Sequence, residues 1–103
     1  MRQGITLVIA TTVLGLMASS SAIAADASAG KAKASTCIAC HGVNGISPTD
    51  LYPNLAGQKQ AYLVKQMKAF KDGSRKDPTM NAMVAALNDV DMENISAFYS
   101  TMK

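Results

Sequence analysis

Cys37-Ile38-Ala39-Cys40-His41 is the stretch on which the reading of this chain turns. Two thiols three residues apart at the end of a helix point the same way, and the imidazole of the next residue stands beside them. That arrangement suits covalent capture of a haem: each thiol adds to one of two neighbouring vinyl groups while the imidazole meets the iron. The chain has no other cysteine and no other histidine, so competing uses of these residues run short of donors. A zinc site would need a fourth ligand, usually from a second Cys or His pair. A thioredoxin-like Cys-x-x-Cys needs a preceding strand in a βαβ setting. A disulfide between Cys37 and Cys40 would close a small strained loop and leave His41 without a purpose.

Upstream of the motif, Met1-Arg2-Gln3 is followed by an almost uncharged run from Gly4 to Met17 and then by small residues ending Ala22-Ile23-Ala24-Ala25. A positive start, an apolar core shorter than the ~20 residues that span a bilayer and an Ala-x-Ala ending describe a secretory leader. Residues 1–25 are therefore expected to be removed after Ala24 or Ala25, leaving one domain over 26–103 in the periplasm of a Gram-negative host. No cysteine lies near the cleavage point, so neither a lipid nor another permanent membrane anchor is expected. Of the 103 residues, the part left is so short that a side-chain core seldom offsets the entropy of ordering it. A large apolar cofactor would supply the missing buried surface.

Downstream, the pattern is helical throughout, and no strand-like alternation of useful length occurs. Asp26 or Ser28 can cap a helix that runs through Gly30 to Ala34 and delivers Cys37 at its end. Gly42 to Gly57, rich in Gly, Asn and Pro, reads as a loop. Tyr62, Leu63, Met67 and Phe70 share a helical face over Gln58–Lys71, with Gly73 placed to end it. A second loop over 72–79 precedes a short helical segment with Met80, Met83, Val84 and Leu87 in register. Asn88 is a plausible cap for a last helix carrying Ile95, Phe98, Tyr99 and Met102 on one face. The fold class is all-α.

A sixth iron ligand separates an electron carrier from a haem enzyme or ligand sensor with an open iron position. Met67, Met92 and Met102 lie on packed helical faces, which leaves Met80 and Met83. Met80 follows the Pro78 loop and is expected to reach iron from irregular backbone, whereas Met83 shares a face with Val84 and Leu87. Pro53, in the loop after the motif, offers a carbonyl to the second ring nitrogen of His41, the usual way such a ring is oriented. Lys59, Lys65, Lys68, Lys71, Arg75 and Lys76 form the main basic stretch, either a solvated helix side or a docking surface for an acidic redox partner. With a formal net charge of only +3 and no Trp, nothing points to nucleic acid.

Cys37-Ile38-Ala39-Cys40-His41-Gly42, Tyr52-Pro53-Asn54-Leu55-Ala56-Gly57-Gln58 and the Met80 to Tyr99 segment together resemble class I c-type cytochromes. The chain is similar to small periplasmic monohaem carriers of the cytochrome c-553 type and to single halves of related dihaem cytochromes. The resemblance implies a small cytochrome c fold, three to four helices around one haem c bound through Cys37 and Cys40. It implies His41 and Met80 as iron ligands, Pro53 as acceptor for His41, Leu55 in the haem pocket, and Gly30 packed against Phe98 or Tyr99. Met83, so near Met80, keeps that assignment open. The implied role is shuttling single electrons between redox proteins, such as membrane-bound oxidoreductases or oxidases. An electron-entry subunit of a larger oxidoreductase would show the same residues.

Overall fold

The structure, a computed structural model, describes residue 4, residues 6–13, residue 15 and residues 24–103. Much of the leader expected over 1–25 lies outside the described residues. Among those described there is no strand: α1 (Ala27–Lys33) runs through a 3-10 turn (Ala34–Thr36) into the single turn α2 (Ile38–His41), followed by α3 (Gln60–Asp72), α4 (Pro78–Val84) and α5 (Asp89–Ser100). No helix among them is long and apolar enough to cross a membrane.

Asp26 is the cap of α1: its carboxylate accepts the N–H groups of Ser28 and Ala29 at 2.9 and 3.2 Å. Its own N–H donates to Asn94 Oδ1 at 2.8 Å, which ties the cap of α1 to α5. The two helices cross at Gly30, where an added Cβ would lie 1.9 Å from the carbonyl oxygen of Asn94. The nearest atoms are the backbone of α5 at Asn94 and Ile95, one turn before Phe98 and Tyr99, the neighbours that the resemblance implies. Contact this close requires a residue without a side chain on α1. Tyr99 turns inward into the core with Ala34, Leu63 and Ile95, and Phe98 packs at its edge.

The loop between α2 and α3 is closed on itself. The carbonyl of Gly45 accepts the N–H groups of Leu55 at 2.8 Å and Ala56 at 3.0 Å, and Gly57 N–H donates to Tyr99 O at 3.0 Å. Gly45 has φ +73°, and a Cβ there would meet Ala56 Cβ at 2.9 Å. The neck of the loop therefore requires glycine on two grounds, backbone conformation and space.

The second loop is shorter than its sequence suggests. α4 starts at Pro78 because Asp77 caps it, accepting the Met80 N–H at 3.0 Å, and because proline at the first helical position forfeits only an N–H that would have no helical partner. Met80 thus leaves the first turn of a helix and not irregular backbone. Asn88 and Asp91 cap α5 reciprocally at 3.1 and 2.8 Å.

Gly30→Ala should drive a methyl group into the backbone of α5. Overpacking of this kind costs about 1 to 3 kcal/mol. The denaturant midpoint of the haem-bound protein should fall accordingly; an unchanged midpoint would mean the crossing can open freely.

Candidate haem site

Cys37, Cys40, His41, Pro53, Leu55 and Met80 all line one cavity of about 400 Å³. Each arrives by a different route. The continuation of α1 brings Cys37, α2 brings Cys40 and His41, the closed loop brings Pro53 and Leu55, and α4 brings Met80. Leu63, Met67 and Phe70 of α3, with Ile95 and Tyr99 of α5, provide apolar walls. Met83 lines the same cavity but is 48% exposed, whereas Met80 is half-buried.

His41 is buried, and its Nδ1 lies 2.8 Å from Pro53 O. A carbonyl can only accept, so Nδ1 carries the proton and donates, leaving Nε2 with a free lone pair for a metal. Tyr52, a cavity residue, meets the imidazole edge-on at 6.4 Å between ring centroids. Both cysteines are partly buried and are not bonded to each other. Burial pushes the Cys37 thiol pKa upward, partly opposed by a hydrogen bond with Thr36. The Tyr99 hydroxyl is buried with no hydrogen-bond partner.

The basic stretch does not form a single surface at this cavity. Lys65 and Lys68 lie on the outer side of α3, lining a shallow depression with Ala61 and Ala69, because helical spacing turns them away from Tyr62, Gln66 and Phe70. The Lys71 ammonium donates to Leu87 O. Only Arg75 of the stretch reaches the cavity wall, with its guanidinium 4.4 Å from the Phe70 ring centre and Nη1 donating to Gln66 Oε1 at 2.8 Å.

Two thiols, an imidazole with one nitrogen free, thioether sulfur from α4, apolar walls and a buried hydroxyl lacking a partner form a donor set that fits haem. The Cytochrome c family model matches residues 27–103. The chain belongs to the cytochrome c family. It is 46% identical to cytochrome c4 of Pseudomonas aeruginosa, over 78% of this chain and 40% of that one. It is 43% identical to cytochrome c-554(548) of Halomonas halodenitrificans, over 78% of this chain and all of the relative. A thiosulfate dehydrogenase electron acceptor of Thiomonas intermedia is 38% identical over 69% of this chain and 33% of its own length. The structure of reduced cytochrome c4 from Pseudomonas stutzeri superposes with a TM-score of 0.73 at 44% identity, covering 78% of this chain and 47% of that one. The chain thus spans about two fifths of the first of these cytochromes c4, and the whole of the shorter Halomonas cytochrome. As in other cytochrome c domains, haem c is bound covalently, here through Cys37 and Cys40.

Two contributors escaped the sequence reading. Asn81 holds the second loop to α4: its Nδ2 donates to Phe70 O at 2.7 Å and Arg75 O at 3.0 Å, and its Oδ1 accepts the Asp77 N–H at 3.0 Å. Asparagine after a proline suggests a turn, and nothing local reveals partners on α3. Tyr99 looked like one residue of a packed stripe; its hydroxyl matters only once the cavity beside it is seen.

Asn81→Ala should leave the part-buried Phe70 carbonyl and the exposed Arg75 carbonyl without their side-chain donor and cost about 1 kcal/mol of stability. Urea unfolding of the haem-bound variant checks this. Chain made without haem attachment, by Cys37→Ala with Cys40→Ala, should be largely unfolded, since an apolar cavity of this size cannot be filled by the few surrounding side chains. Far-ultraviolet circular dichroism of the purified apoprotein tests it; native helix content with a cooperative transition would contradict it.

Proposed function

We propose that this chain is an exported one-electron carrier in which His41 and Met80 hold the haem iron from two sides. The observation that carries the reading is the setting of Met80. It lines the cavity that holds His41, in a helical turn whose start is held by Asp77 and Asn81. When bound, haem supplies reversible exchange of one electron between Fe(III) and Fe(II). The protein's part is to keep that exchange free of other chemistry. Pro53 fixes the tautomer and orientation of His41, so that Nε2 is the nitrogen presented for ligation. A thioether ligand favours the ferrous state and raises the potential. Leu55, Leu63, Met67 and Phe70 exclude water from the walls. If His41 and Met80 both held the iron, no position on it would be open to a substrate, which is why a carrier is preferred to an enzyme or sensor.

Cleavage of the leader over 1–25, after Ala24 or Ala25, would release the domain into the periplasm. In support, the first helix of the domain starts at the Asp26 cap, whose N–H is bonded to Asn94. Partners are other redox proteins. A second reading, an electron-entry domain of a larger oxidoreductase, draws on the likeness to the thiosulfate dehydrogenase electron acceptor, of which this chain matches a third.

In the oxidised protein, Met80 ligation should give the weak sulfur-to-iron charge-transfer band in the far red. Met80→Ala should abolish that band, lower the reduction potential and admit carbon monoxide to the reduced protein, with haem still attached. Met83→Ala should retain the band. A band lost only with Met83 would move the ligand there; no band in the unsubstituted protein, with rapid carbon monoxide binding, would replace the carrier by a ligand-binding haem protein.

A further inference from the structure

Tyr99 holds a polar atom that the fold itself does not use. The side chain is 1% exposed and packs at 5.1 Å against the Phe98 ring, yet its hydroxyl finds no hydrogen-bond partner among the described residues. Such orphaned buried hydroxyls are uncommon, because the group gives up its bonds to water without replacement. Packing does not ask for the oxygen, since phenylalanine would fill the same core position. Ser96 Oγ is also buried and unpartnered, but it does not border the haem cavity; Tyr99 does. The group beside the Tyr99 hydroxyl is the Cys37 thiol, which packs against the same core cluster and lies close enough to interact with it, though the pair falls short of a well-formed hydrogen bond in the chain alone.

Attachment of haem changes what that sulfur can do. As a thioether, Cys37 has no S–H left to donate, while its lone pairs still make a weak acceptor. The only hydrogen bond then open to the pair runs from the tyrosine O–H to sulfur. We propose that Tyr99 is a positioning and tuning residue of the haem centre, donating its hydroxyl hydrogen to the Cys37 thioether sulfur. A donor on a sulfur bonded to the ring draws electron density from that edge and favours the electron-rich ferrous state. Burial, then proximity to Cys37, pushes the phenol pKa far above its ordinary value, so the hydrogen needed for donation is retained.

The test compares the holoprotein with Tyr99→Phe, which keeps the ring and removes the oxygen. At a fixed applied potential the ratio of reduced to oxidised protein should fall by about threefold, the size of effect a fraction of one hydrogen bond produces. In a Cys37→Ala background, where haem hangs on Cys40 alone, the same substitution should leave the potential unmoved. If Tyr99→Phe fails to hold haem, the unsubstituted protein still decides the matter. Its C–S stretching modes in resonance Raman spectra should shift on transfer from H2O to D2O, and the shift should be absent from Cys37→Ala. An unchanged potential in Tyr99→Phe, an equal change with and without the Cys37 sulfur, or no deuterium shift would overturn the assignment. The inference rests on attachment through Cys37 and not on Met80; the far-red band, followed in the same samples, reports failure of the Met80 reading separately.

Discussion

The crossing of α1 and α5 at Gly30 sets the position of nearly everything that touches the haem. With an added Cβ only 1.9 Å from the Asn94 carbonyl oxygen, the two helix backbones meet with no side chain between them. From that point α1 runs on through its 3-10 turn to Cys37, Cys40 and His41, while α5 runs on to Tyr99. The carbonyl of Tyr99 receives Gly57 N–H, Gly57 ends the loop closed at Gly45, and that loop presents Pro53 to His41. A displacement at the crossing would therefore reach both sides of the imidazole: the helix that carries it and the loop that orients it. The bond from Asp26 N–H to Asn94 secures the same contact from its outer end.

What could be read from the sequence follows from how local each determinant is. Attachment needs five consecutive residues, so Cys37, Cys40 and His41 were legible at once. The caps Asp26 and Asn88 and the end of α3 at Gly73 were legible too, because each acts within a turn of itself. The start of α4 was missed although Asp77 and Pro78 are both recognised helix starters, since Gly73 and Pro78 drew the segment into one loop. The helix wins because the Asp77 carboxylate, its backbone and the Asn81 amide all bond within the same turn. The point on α5 nearest Gly30, at Asn94, was not legible for another reason: sequence period gives the face of a helix, not the height at which another helix crosses it.

The basic residues illustrate the limit of reading charge along a chain. Lys65, Lys68, Lys71, Arg75 and Lys76 are neighbours in sequence, yet Lys65 and Lys68 face outward from α3 while Arg75 lies across Phe70 at the cavity. Any electrostatic steering by this segment must act at two separated places. Within this segment Arg75 alone reaches the haem cavity, which Lys33 also lines from α1, and its stacking on Phe70 and bond to Gln66 hold it there against the pull of solvent.

Met80 and Met83 stand three residues apart on α4 and both reach the cavity, so chemistry alone does not choose between them. Mechanics does. Electron transfer is fast when little moves as the charge changes, and a ligand from a restrained backbone moves less than one from a free surface. Met80 sits where its own N–H is taken by Asp77, and Asp77 is in turn held by Asn81, which also grips Phe70 and Arg75. That network joins the first turn of α4 to α3, the helix forming the cavity wall. Met83 lies one turn further on and half in solvent. The proposed ligand is thus the methionine whose backbone is tied to the wall of the site, and the tie runs through an asparagine that never touches the haem cavity.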